Sequence, residues 1–258
     1  MTVGHRSGEG VSPRLYARIA GALYLITIVL GAAEELLIRG RIFVPKDAVA
    51  TAANLRSMEF LWRLGIASEM FLGICTVIVA LILYALLRPV SRDLALLMTF
   101  FGLVAVAVET AYSLHLLEAL FPVGHAAYLK AFTPDQLAAM ASLSIRAHGM
   151  GFGIALLFFG PFFLIAGYLV FKSGYFPKAI GILYLLPGVS YMTSSFALIL
   201  APAFASRYYF AMAGPAVIGE GALCLWLPPE GRRRCELGGT QSQAGPPGSR
   251  AARHPRGR

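Results

Sequence analysis

The 23 residues from Gly149 to Phe171, GMGFGIALLFFGPFFLIAGYLVF, carry no charged side chain, and neither do the 28 from Ala179 to Ser206, AIGILYLLPGVSYMTSSFALILAPAFAS. A helix needs about 20 mostly apolar residues to cross the hydrocarbon core of a bilayer. Both stretches are therefore read as membrane spans. The seven residues joining them, Lys172 to Lys178, allow only a tight turn between antiparallel neighbours. Within that turn Gly174 suits a helix end and Pro177 a helix start.

Working outward, four more apolar blocks follow the same rule: Leu15 to Ala33, Gly65 to Leu87, Leu94 to about Phe121, and Tyr208 to Leu227. The expected fold class is an all-α, multi-pass transmembrane helical bundle of about six spans over residues 15–228. A polar segment, 1–14, precedes it and a basic tail, 229–258, follows. Composition agrees, with 57% hydrophobic and 14% charged residues against about 45–50% and about 25% in soluble proteins. Arg6 and Arg14 before the first block, with Arg18 at its start, are also how a signal peptide begins. Its apolar run is longer than a signal core, so an uncleaved first helix is expected.

The net charge of +9 is not a nucleic-acid signature, because the basic residues form no folded face. Seven of the 22 Lys and Arg lie in the tail after Pro229, whose Gly, Pro, Ser and Arg cannot bury a core. The rest punctuate the apolar blocks. Two sit in each of the tiny joints 88–93 and 172–178, whereas eight are spread over the much greater combined length of the outer connections, which predicts both termini on the cytoplasmic side of a bacterial inner membrane. Trp62 and Trp226 then fall near opposite surfaces. Cys75, Cys224 and Cys235 offer neither a CxxC pair nor zinc spacing and are read as packing residues.

Two connections predict short interfacial helices that seal the outer rim. Ala48, Ala52, Leu55, Met58 and Trp62 recur at helical spacing beside a ladder of Arg56, Glu59 and Arg63. Thr133, Pro134 and Gln136 match a capping box with proline at the first helical position, leading through Leu137, Met140 and Ile145 into the fourth span.

In that fourth span Gly149, Gly153, Gly160 and Gly167 lie within about 40° of one another on a helical wheel. The fifth offers Gly181, Gly188 and Ser195 at heptad steps. Small residues let backbones approach closely where lipid removes the usual hydrophobic drive. These stripes predict helix contacts, with each other across the short turn. Gly149-x-Gly151-x-Gly153 lacks the strand a nucleotide loop requires. Pro161 and Pro187 are expected to kink their helices.

The run His148-x-x-Gly151-Phe152, Phe158-Phe159-Gly160, Gly167-Tyr168-Leu169, then Lys172-Ser173-Gly174-Tyr175-x-Pro177-Lys178 and Gly181 is distinctive. With Thr51-x-x-Asn54, Glu59-x-x-x-Arg63 and Pro215 through Gly219-Glu220 to Leu225-Trp226-Leu227, it resembles the bacterial membrane-protein family catalogued as domain of unknown function 4386. The resemblance spans nearly all of Leu15 to Leu227. It implies a multi-pass helical bundle and brings no catalytic assignment; the long basic ending after Leu227 departs from the pattern.

Ionisable residues inside spans are costly unless paired or wetted, and mark functional sites by default. Here they are Glu69, Glu109, His115, His148 and Glu220. With the termini inside, the first four fall in the outer half, near Glu34 and Glu35 at the end of the first span, and beside basic residues such as Arg63 and Arg146. The expectation is an acid and histidine cluster in an outward-facing polar cavity that binds or moves a small solute or a proton. Glu109 and His115 are about 120° apart on one helix and cannot meet the same ligand without a distortion. No GxSxG elbow, HExxH helix or Walker loop is present, and neither a cofactor nor a metal is expected. A membrane enzyme or lipid-binding protein using the same Glu and His groups is the rival class. A structural or regulatory role is the third, favoured where the polar groups are paired and dry.

Overall fold

The computed structural model describes residues 13–174 and 176–226, and every regular element among them is helical. The elements are α1 (Pro13–Ala33), prolonged by a π-helical turn (Glu34–Arg39) and by Gly40–Ile42; α2 (Ala48–Ser57); α3 (Glu59–Leu87); α4 (Arg92–Tyr112), continued after Ser113 by Leu114–Glu118; a short 3-10 helix (Ala127–Ala131); α5 (Pro134–Lys172); α6 (Lys178–Leu183); α7 (Leu185–Leu200); and α8 (Pro202–Trp226). Five runs among the described residues are long and apolar enough to cross a membrane: Arg18–Ile42, Glu59–Leu87, Arg92–Glu118, Pro134–Lys172 and Lys178–Leu200. The expected sixth span falls on α8, bent at Tyr208 and carrying Pro215, which is not among the five. Its last residue, Leu227, and the basic tail lie outside the described residues, as do positions 1–12.

Neighbours pack in a closed ring: α1 on α3, α3 on α4, α4 on α5, α5 on α6 and α7, α7 on α8, and α8 back on α1. Tight joints fix this order. Gly174, at φ +74°, ends α5 in the left-handed conformation that glycine adopts without strain, and Pro177 immediately precedes α6. The outer faces stay apolar, with Val29, Ile74, Leu81, Phe100 and Val189 exposed. A soluble monomer rarely exposes so much contiguous apolar surface.

The two glycine stripes meet one another, as their spacing predicts. Ser195 donates its hydroxyl to the Gly153 carbonyl at 2.7 Å. A methyl group built on Gly160 would lie 3.2 Å from the Gly188 carbonyl oxygen, and one on Gly167 only 2.9 Å from that of Gly181. The pairs 153 with 195, 160 with 188 and 167 with 181 share one antiparallel register, two turns apart. Gly149 is the exception, with open space where a side chain would go. The same register would set it opposite position 199, where α7 is about to end. Two further close contacts, not anticipated from spacing, lock α4 to α5: Gly102 under Phe162 and Gly151 under Tyr112.

Pro161 passes through α5 without ending it, whereas the fifth span breaks at Tyr184, between α6 and α7. A proline ring displaces the carbonyl four residues before it. For Pro187 that carbonyl belongs to Leu183, and Gly219 of α8 brings its bare backbone against both the Leu183 oxygen and the Pro187 ring.

The expected connecting helices are each modified. The first is α2, which packs its apolar face on α5 rather than on lipid, burying Ala52 and Leu55 with Ile42, Leu116 and Ile145. Trp62 joins this cluster, 2% exposed, its indole donating to the Leu116 carbonyl at 2.8 Å, so it is not a surface anchor. The second is no separate helix. The capping box of Thr133 and Gln136 forms and starts a continuous helix of 39 residues, about 58 Å long and so able to project beyond a bilayer core of about 30 Å.

Replacing Gly160 or Gly188 with leucine should push α5 and α7 apart and cost about 1–3 kcal/mol by overpacking, while Gly149→Leu should be close to neutral. Thermal unfolding of the three variants in one detergent checks this ordering.

Candidate functional site

The most highly charged buried cluster among the described residues centres on Arg39, in the π-helical turn that ends α1. In an α-helix, residues five apart point about 140° from each other. The wider π turn, with its i to i+5 bonding, brings them to one side. Arg39 Nη2 accordingly lies 2.7 Å from Glu34 Oε1 and 3.1 Å from Glu69 Oε2 of α3, while Nη1 is 3.4 Å from the exposed Glu35. Glu34 and Glu69 are both 7% exposed.

Glu69 is the hub. Its Oε1 accepts a short hydrogen bond from the Ser113 hydroxyl, at the end of α4, and faces His148 Nε2 of α5 at 3.7 Å. Ser113 also donates to the Glu109 carbonyl one turn back, at 3.0 Å. His148 is 2% exposed, and its Nδ1 lies 3.4 Å from the Tyr112 carbonyl. Four helical elements therefore converge on one carboxylate: the π turn, α3, the end of α4, and α5.

The remaining sequence-predicted residues divide. Glu109, half-buried, sits on the inward stripe of α4 with Met98, Gly102 and Ala105, and its carboxyl makes no hydrogen bond or ion pair among the described residues. His115 is held outside the cluster by Glu118, 2.5 Å from its Nδ1. Glu220 of α8 lies elsewhere, accepting a short hydrogen bond from Tyr191 of α7. Close by, the Tyr184 hydroxyl donates to that of Tyr24 at 3.3 Å. Expected partners also change. Arg63 pairs with Glu59 on the surface at 2.8 Å, and Arg146 reaches the Pro45 carbonyl and the Phe43 ring. Arg39 takes the role assigned to them. The spacing of Glu35 and Arg39, four apart, was the available signal for it.

The space beside the cluster is small. Beside Arg39, between Glu34, Trp62, Gly65 and Leu116, a space of about 10 Å³ remains, room for roughly one water. The ion pairs have drawn the polar side chains together, and the Trp62 ring fills the rest. A larger cavity of about 40 Å³ lies two turns inward from Glu34 and Glu69, bounded by Tyr24, Thr27, Thr76, Phe159, Phe162 and Tyr184. No group of three His, Cys, Asp or Glu able to hold a metal ion occurs among the described residues.

A family model described as "Domain of unknown function (DUF4386)" matches residues 19–228, and so covers every residue of the Arg39 and Glu220 clusters. The chain belongs to this family. A protein of Archaeoglobus fulgidus described as "Uncharacterized protein" is 29% identical over 167 residues, 64% of this chain and 82% of the relative. No solved structure matches the chain. Within this DUF4386 bundle Glu34, Arg39, Glu69, Ser113 and His148 tie the π turn, α3, α4 and α5 to one another.

Removing one member of a buried ion pair leaves the other uncompensated and costs about 3–5 kcal/mol. Arg39→Met should lose that much in chemical unfolding in mixed micelles, and Arg63→Met, on the surface, less than about 1 kcal/mol. Adding Glu69→Gln to Arg39→Met should restore part of the loss.

Proposed function

We propose that this is a multi-pass protein of the cytoplasmic membrane whose Arg39–Glu69–His148 cluster binds an exchangeable proton from the outer side. One observation carries the reading, the pair of contacts that His148 makes. The Tyr112 carbonyl can only accept, which favours the tautomer with its hydrogen on Nδ1. Nε2 then confronts Glu69 Oε1 at 3.7 Å. Two bare lone pairs would repel. An imidazolium facing a carboxylate attracts, and so does an imidazole facing a carboxylic acid; each arrangement holds one proton more than the repulsive one.

Charge counting gives the same number. Buried charges in a low-dielectric interior must be paired. Two buried acids, Glu34 and Glu69, share the single guanidinium of Arg39, and one added proton makes the set neutral. The proton is favoured over a larger solute because the space beside Arg39 admits only about one water. The paired, nearly dry state of the cluster favours a second reading, a purely structural clasp; proton exchange separates the two.

Infrared spectra of the full chain in nanodiscs should show a protonated-carboxyl stretch that Glu69→Gln or Glu34→Gln removes, or nitrogen-15 spectra should show an imidazolium at His148 that Glu69→Gln discharges. Acidifying the medium should increase whichever signal is present. A clasp would show neither, and their joint absence sinks the proton reading.

The orientation belongs to the same proposal. Single cysteines placed at Val90 and Ser173, in a background lacking the native cysteines, should react with an impermeant maleimide only after the cytoplasmic side is opened. Labelling of the two on different sides would contradict the antiparallel order of spans.

A further inference from the structure

We propose that the rim of the bundle bearing the joints 88–93 and 172–178 binds anionic phospholipid, its exposed cations meeting the lipid phosphate and apolar residues one turn deeper meeting the acyl chains. Such binding is independent of the proton held at the Arg39 cluster and of which side of the membrane this rim faces.

The fold brings the cations to one level. α4 and α5 run antiparallel, with Gly102 under Phe162. Arg92 lies ten residues before Gly102 and Lys172 ten residues after Phe162, about 15 Å along each axis in the same direction. Arg88 follows the end of α3 just before Arg92, and Lys178 opens α6 just after Lys172. Arg18 joins them on α1, three residues before Gly21, whose carbonyl meets Cys224 Sγ near the end of α8 at 3.9 Å. The last residue of α8, Trp226, lies 4.6 Å from the Phe176 ring, beside the second joint. All five cationic side chains are exposed.

No counter-charge meets them among the described residues. Asp93 is the single acid on this rim there and forms no ion pair, and none of the five cations has a carboxylate or carbonyl partner among those residues. The two lysines lie over aromatic rings, Lys172 Nζ 6.0 Å from the Tyr168 centroid and Lys178 Nζ 5.6 Å from that of Phe171. The opposite rim differs. Its acids nearly match its bases in number, and Arg39, Arg56, Arg63 and Arg146 are each bonded to a protein oxygen. Like charges held at one level repel. An anion from outside the chain relieves that repulsion, and basic residues beside a membrane span are drawn to anionic headgroups, each adding its own share.

The surface beneath selects a lipid over a free anion. Leu96 follows Arg92 by four residues on α4, and Tyr168 precedes Lys172 by four on α5. Residues four apart share a helix face, so each lies below its cation, one turn toward the middle of the bundle. Leu96 is 42% exposed and Tyr168 47%. Cations above and apolar surface beneath, on neighbouring helices, complement the two ends of a phospholipid. Inorganic phosphate would use only the upper part.

The test uses the full chain, tail included, in nanodiscs of mixed phosphatidylcholine and phosphatidylglycerol, with native mass spectrometry counting the lipids each protein retains on release. Wild type should retain phosphatidylglycerol well above its share of the membrane. Arg92→Gln with Lys172→Gln should lower that enrichment about tenfold, whereas Arg92→Lys with Lys172→Arg should keep it. Lys46→Gln with Lys130→Gln, the same loss of charge at the opposite rim, should leave it unchanged. If the first pair melts early in pure phosphatidylcholine, Arg88→Gln with Lys178→Gln on the same rim takes its place. Absence of enrichment in wild type overturns the proposal. So does enrichment undiminished by the rim pair, which would assign it to the basic tail, or an equal drop in the opposite-rim control. Displacement of phosphatidylglycerol by an equal concentration of inorganic phosphate would overturn the choice of a lipid.

Discussion

A guanidinium mostly covered by apolar helices is tolerable only if carboxylates meet it, and much of the upper half of this bundle is arranged so that they do. Arg39 cannot leave its chain position, so the chain widens. The π-helical turn from Glu34 to Arg39 rotates both ends of that segment toward α3. Glu69 completes the pairing, and through it Ser113 and His148 attach α4 and α5. Because each group added to the pair brings another helix, the polar cluster also sets helix positions. The cost of breaking such a pair comes chiefly from the charge left behind, not from the bond lost, and a cluster of this kind therefore enforces one arrangement more than it adds net stability.

Close backbone approach does the corresponding work in the lower half. Between α5 and the α6–α7 segment the register is carried by residues without side chains, or with one hydroxyl: Gly153 with Ser195, Gly160 with Gly188, Gly167 with Gly181. Apolar side chains have as much affinity for lipid tails as for each other, so dispersion and short contacts must supply the association. The break at Tyr184 extends this logic. Pro187 frees the Leu183 carbonyl, Gly219 approaches it, and the ring of helices closes through α8. The irregularity puts Tyr184 fully inside, against Phe163 at 5.0 Å and Tyr24, and so helps to build the second polar cluster.

What could be read from the sequence follows from which features are periodic. Heptad glycines, a capping box and charge-free runs each repeat a geometry that 100° per residue describes, and the spans, the α5 start and the glycine seam follow. Glu69 and His148 were identifiable because charge inside an apolar run is costly wherever it points. Arg39 was hidden by the π turn. Regular α phase turns Arg39 and Glu34 away from each other, which left Arg63 and Arg146 as the apparent cations. Nor could spacing tell that Gly149 lies where its partner helix is about to end, or that Trp62 turns inward because α2 covers it.

Function is harder to read because the two clusters use the same residue types for different ends. In each, a buried carboxylate accepts hydrogen bonds from a neighbouring helix, and that alone would be a clasp. The asymmetry lies in what else is present. The Arg39 cluster has a formal charge that only a proton or a moving cation can balance, whereas Glu220 is met by hydroxyls, which can pass a hydrogen on but cannot neutralise a charge.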